Sequence, residues 1–143
     1  MALHKIALRG DPKVSEEFIA TEAITPGHLL ELDATGVKKN TDDAANVAAA
    51  FALERSELGK TIDDAYASGD IVKMGVFAPG DHVYALLASG QNVARGAYLT
   101  GTTAGLLTAA SVAAGIRIAR AWEAVNTSGS APVAGTRIHV EIV

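Results

Sequence analysis

Apolar residues recur along this chain mainly at every second position, in short runs cut by glycine, proline or clustered polar residues. A period of two sends alternate side chains to opposite faces of an extended segment, so the runs predict strands rather than helices. The clearest is TRIHVEIV (136–143), where Ile138, Val140 and Ile142 face one way and Arg137, His139 and Glu141 the other. Further strands are predicted in HLLELD (28–33), DIVKMGVF (70–77) and HVYALLA (82–88), each bounded by turn residues. HLLELD ends at Asp33-Ala34-Thr35-Gly36, a tetrad with glycine where a turn needs positive φ.

Two of these strands are apolar on both sides. Val83, Ala85 and Leu87 oppose Tyr84 and Leu86; Val72, Met74 and Val76 oppose Ile71 and Phe77. One face fills the strand's own core. The second requires another layer, from within the chain or from a neighbouring subunit.

The chain also repeats itself. ITPGHLLELDATGV (24–37) and FAPGDHVYALLASGQNV (77–93) both run Pro-Gly, polar, apolar, glycine turn, valine, with the prolines 79 − 26 = 53 residues apart. AFALERSE from Ala50 is echoed by ARAWEAVN from Ala119, placing Glu54 and Glu123 in register. Residues 42–60 could by composition be an alanine-rich helix capped by Asp and closed by Gly59. The echo, led by Ile116 and Ile118 in its second copy, favours a strand over 47–54. One helical turn is predicted at TIDDAY, with Thr61 as N-cap and Asp64 three residues on. The prediction is a mainly β chain with two related halves, a small barrel or sandwich with at most one short helix.

Residues 1–20 differ from the remainder. Leu3, Lys5, Ala7 and Arg9 alternate with His4, Ile6 and Leu8, and a break at Gly10-Asp11-Pro12 precedes a charged run through Glu16 and Glu17. This pattern fits an extended arm or an edge strand. We expect an arm over 1–20 and a β-barrel domain over 21–143. The expected contacts with a larger partner or a neighbouring subunit are Leu3, Ile6, Leu8, Arg9 and Phe18, joined by Tyr84 and Leu86 from the two-faced strand.

Composition narrows the function. At 143 residues the chain has the length of one domain, and 49% hydrophobic with 5% aromatic content implies thin layers of small side chains. The net charge is −4 and the basic residues are scattered through the sequence, which argues against nucleic-acid binding. The absence of cysteine excludes disulfides and thiolate metal sites. Lys5 and Arg9 interrupt any leader-like apolar stretch, and AGLLTAASVAAGI from Ala104 is too short to span a bilayer. The expectation is a protein made in the cytoplasm, with no membrane partner.

Motifs for chemistry are sparse. GQNVARGAYL resembles the hairpin of biotinyl and lipoyl carrier domains, but the nearest lysine beside a methionine, Lys73, lies in a predicted strand. TIDDAYASGDI resembles a motif of trimeric deoxyuridine triphosphatases, with one extra residue between Tyr66 and Gly69 and none of the companion motifs. His4, His28, His82 and His139 lack metal-ligand spacing; His139 and Glu141 share a strand face that reads as a solvated polar surface. The pairs Asp42-Asp43 and Asp63-Asp64 read as turn and capping residues. No catalytic, cofactor-binding or metal-binding residue is predicted.

Across most of its length the chain resembles the capsid decoration (cement) proteins of tailed bacteriophages. MALHKIALRGDP, AITPGHLLEL, AFALERSELGKTIDDAYASGD, PGDHVYALLASGQNVARGAYL and ARAWEAVNTSGSAPVAGTRIHVEIV carry the resemblance, whereas residues 101–115 are where such sequences would vary most. It implies a non-enzymatic, β-rich subunit, commonly a homotrimer, on the outer capsid surface of the virion. Its partner would be the major capsid protein, and its task to stiffen the shell through many linked contacts. The rival classes are a carrier or small-ligand barrel and a deoxyuridine-triphosphatase-like enzyme.

Overall fold

The computed structural model describes residues 3–41, 47–110, 116–129 and 135–143. Within them the chain is mainly β and contains a closed five-stranded barrel. Among the described residues helix is confined to two single 3-10 turns, Ser56–Leu58 and Thr103–Gly105.

The barrel is built from the C-terminal half. Its strands are β7 (His82–Leu87), β10 (Leu107–Ala109), β9 (Tyr98–Gly101), β11 (Ala119–Ala121) and β13 (Thr136–Ile142), in that order, and β13 pairs back onto β7. The pairing of β13 with β7 runs from Thr136↔Leu87 to Glu141↔His82. The alternation read in the sequence sets what lies inside: Ile138 and Val140 are fully buried, as are Val83, Ala85 and Leu87. A ring of five strands has room only for side chains of this size. Each buried Ile or Val on β13 contributes about 1.5–3 kcal/mol of burial free energy. Beside the barrel, β8 (Asn92–Val93) and β12 (Val125–Asn126) form a short ribbon.

The N-terminal half forms a second unit. β6 (Ile71–Val76) pairs with β2 (Val14–Ile19) on one side and β5 (Ala50–Ala52) on the other, while β3 (Leu30–Leu32) and β4 (Val37–Lys39) form a hairpin. Two isolated bridges, Leu29↔Phe51 and Ala20↔Val37, link hairpin and sheet into a circuit of pairings. The last bridge depends on Gly36: a Cβ there would lie 1.9 Å from the Ile19 carbonyl oxygen. Val72, Met74, Leu30, Ala52 and Tyr66 fill this second core. The two units share apolar contacts through Leu29, Phe51 and Phe77, with the two Phe rings edge to face at 6.1 Å.

The repeated phrase is a repeated turn. Thr25-Pro26-Gly27-His28 and Ala78-Pro79-Gly80-Asp81 each close with a backbone bond from fourth residue to first, at 3.0 and 3.1 Å. Gly27 and Gly80 hold φ of 96° and 95°, the left-handed conformation that a Pro-Gly turn needs. In both, the fourth side chain accepts the first residue's N–H: His28 Nδ1 from Thr25 and Asp81 Oδ2 from Ala78, each at 2.9 Å. Ala67–Asp70 builds the same turn without proline. As the echo required, the core of 47–54 is strand; Asp42 and Asp43 lie outside the described residues.

Three expectations change. The N-terminal segment does not stand apart as an arm: β1 (Ala7–Arg9) pairs with β7, β2 belongs to the second sheet, and Ile6 is fully buried. Ile6 fills a gap along β7, whose outer edge is bonded in succession by Ile6, Gly27 and Leu107. TIDDAY forms a hydrogen-bonded turn instead of a helical one, with Asp64 Oδ2 accepting the Thr61 N–H at 2.7 Å. The second face of β7 is also partly covered within the chain, since Leu86 is only 5% exposed.

Candidate functional site

On the outside of the barrel, cross-strand register aligns side chains that are far apart in sequence. Tyr98 on β9 lies opposite Arg120 on β11, Arg120 opposite Glu141 on β13, Glu141 opposite His82 on β7, and His82 opposite Arg9 on β1. Directly opposed residues on one sheet face are close enough to interact. Arg120 forms an ion pair with Glu141, whose other oxygen lies 3.5 Å from His82 Nε2. His82 Nδ1 is 2.7 Å from His139 Nε2. Two imidazole nitrogens at that distance share one proton, one ring donating and the other accepting. Burial, the neighbouring His82 and Arg9 lower the pKa of His139, partly opposed by Glu123. Glu123 also accepts the His139 backbone N–H at 3.0 Å.

Trp122, the single tryptophan, packs edge-on against His82 with ring centres 4.6 Å apart. The Arg95 and Arg120 guanidinium carbons lie 5.6 and 5.9 Å from its ring centre, and Arg117 lies 4.6 Å from that of Tyr98. The result is one connected face of guanidinium and aromatic groups, with two carboxylates among them. His82 is 1% exposed, so the histidine pair is a structural support beneath this face. Among the described residues no group of three or more His, Asp or Glu side chains could hold a metal ion.

Two concave features lie on the second unit. A pocket of about 490 Å³ is bordered by Arg55, Leu58, Asp64, Tyr66 and Ile71. Here the deoxyuridine-triphosphatase-like stretch lines a pocket, but its Asp64, Tyr66 and Asp70 and the neighbouring Arg55 each have a structural partner. Tyr66 donates to the Leu53 carbonyl at 2.6 Å, and Asp64 and Asp70 accept turn N–H groups. Arg55 donates to the Ile71 carbonyl and pairs with Glu17 and Glu57. The Thr61 N–H holds the Asp64 carboxyl below the usual range, a state suited to accepting that bond. A second depression of about 640 Å³ is bordered by Leu30, Leu32, Ala50 and Met74. Lys73, the carrier-like lysine, lies in the middle of β6 and not at a hairpin tip.

The sequence-predicted contact residues do not form one surface. Ile6 and Leu86 are buried in the folded chain. Leu3, Leu8, Phe18 and Tyr84 are half-buried; Phe18 packs on the second core and Tyr84 on the first, beneath Arg137. Of these residues Arg9 alone is exposed, and it joins the guanidinium face. Sequence reasoning missed Arg95, Arg117, Arg120, Tyr98 and Trp122. The available signal was the outward position of Arg120 between two inward alanines, but nothing local links it to Arg9 or Arg95.

No protein-family profile and no curated protein sequence matches the chain. Among solved structures it is similar to the head fiber gp8.5 N base of bacteriophage phi29, with a TM-score of 0.57 at 12% identity. The likeness covers 91% of this chain and 93% of that one, so it is a likeness of whole folds.

Proposed function

We propose that this chain is a structural component of a bacteriophage head, a decoration protein that binds the outer capsid surface and bridges neighbouring major capsid subunits. The observation that carries this reading is the fold likeness to the phi29 head fiber base over nearly the full length of both chains. The described interior supports it: both cores are filled by packing side chains, and Asp64 and Tyr66 in the pocket on the second unit brace turns and strands. A subunit of this kind acts mechanically, and many linked copies turn modest individual contacts into strong reinforcement.

We further propose that the subunit acts as a homotrimer. Ile19 and Ile71, directly paired on β2 and β6, are 49% and 42% exposed, and the nearby Leu58 is 63% exposed. Exposed apolar side chains grouped in this way suit burial against another copy. Light scattering at micromolar concentration tests the trimer, and a monomer there removes it. The capsid role is tested by mixing purified protein with phage shells that lack it. Co-sedimentation at a saturating stoichiometry is expected; shells that pellet without the protein overturn the reading.

A further inference from the structure

We propose that the outer barrel face running from β9 through β11 and β13 to β1 docks a carboxylate-rich protein surface. Resting on the reading above, this is the side the subunit turns toward the shell. Arg9, Arg95, Arg117 and Arg120 converge there although the chain as a whole carries a net charge of −4. Among the described residues only Arg120 has a carboxylate partner, and the other three are exposed without an ion pair.

Arg95 and Arg117 are pre-ordered for this task. Each guanidinium lies near an aromatic ring, Trp122 or Tyr98, an arrangement that restrains the side chain while its N–H groups remain available. A carboxylate is the planar acceptor that such a fork engages with two parallel hydrogen bonds. The lysines lie elsewhere. Lys13, Lys38, Lys39, Lys60 and Lys73 belong to the second unit or its borders, and Lys5 precedes β1. Arginine, tryptophan and tyrosine are enriched in protein interfaces while lysine is depleted.

Protein is favoured over nucleic acid because Glu123 and Glu141 lie within the face. A row of phosphates would meet those carboxylates as like charges, whereas a protein surface can place a donor against each.

The test compares the wild type with an Arg95→Glu/Arg117→Glu double variant, using Lys13→Glu/Lys60→Glu as a charge-matched control on the other unit. Binding to shells lacking the protein is expected to weaken at least tenfold in the double variant and to persist in the control. Equal binding by the double variant overturns the inference. A wild type that binds no shells overturns the proposed function instead, and a second probe then reads the face by itself. Poly-L-glutamate at low salt should change Trp122 fluorescence saturably, with at least tenfold weaker binding in the double variant and in 0.5 M salt. No response, an equal response in the variant, or tighter binding to a single-stranded DNA oligonucleotide each overturns it. If the charge reversal unfolds the chain, Arg95→Gln/Arg117→Gln provides the same comparison.

Discussion

Glu54 and Glu123 occupy matching places in the two halves of the chain, each accepting a backbone N–H from a distant segment. Glu54 takes that of Ile6 at 3.1 Å and Glu123 that of His139 at 3.0 Å. The echo between AFALERSE and ARAWEAVN is therefore a shared structural device. Glu54→Ala should cost about 1–3 kcal/mol, because it leaves a partly buried N–H without its acceptor. Glu54→Gln, which keeps an acceptor oxygen, should cost less than half as much. Urea unfolding of the two variants checks the order.

Ile6 tests whether the N-terminal segment belongs to the fold. It is fully buried in the larger core. Ile6→Ala should destabilise by about 2–5 kcal/mol, the usual cost of removing a large buried aliphatic side chain. A loss below about 0.5 kcal/mol in the same urea assay would return the segment to the status of an independent arm.

Arg137 ties the barrel to the second unit. It donates to the Pro26 carbonyl at 2.8 Å and to the Ile62 carbonyl at 2.5 Å. Hydrogen bonds from charged donors contribute about 1.5–3 kcal/mol each, and coupled losses are not additive. Arg137→Ala should therefore lower stability by about 2–4 kcal/mol. Arg137→Lys should recover only part, since a point-like ammonium does not reproduce the fork. Denaturant midpoints measure both.

Removing the last six residues takes Ile138, Val140 and Ile142 from the core and separates β7 from β11. Three losses of about 1.5–3 kcal/mol approach the whole stability of an ordinary domain, about 5–15 kcal/mol. The truncated chain should show no cooperative thermal transition by circular dichroism. A melt like that of the full chain would make β13 peripheral.

Stability should fall with acid. The pKa of His28 is lowered to about 4 by burial, then by Lys39 and Arg137, and the Thr25 N–H that Nδ1 accepts also favours the neutral ring. The unfolded chain therefore binds the proton first, near pH 6.5, and stability present above that pH is lost as pH falls toward 4. Between pH 7 and pH 5 the loss should be on the order of 2 kcal/mol, with His139 acting in the same direction. His28→Asn preserves an acceptor for the Thr25 N–H without titrating, so its stability should depend less on pH. Urea unfolding at both pH values provides the comparison.

By itself the sequence determined what local geometry governs. A period of two decides which face of a strand is apolar, and Ile138, Val140 and Ile142 point inward in the structure as their spacing requires. Pro-Gly sets its own turn, so the two phrases 53 residues apart became the same turn with the same side-chain brace. Only the tertiary structure decided which strand edges meet, because every strand offers the same backbone donors and acceptors at both edges. That choice closed β13 onto β7, seated Ile6 in the core and covered Leu86, where alternation alone had left two open faces. It also made the candidate site: Arg9, Arg95, Arg117 and Arg120 look scattered in the chain because strand register, a long-range property, brings them together.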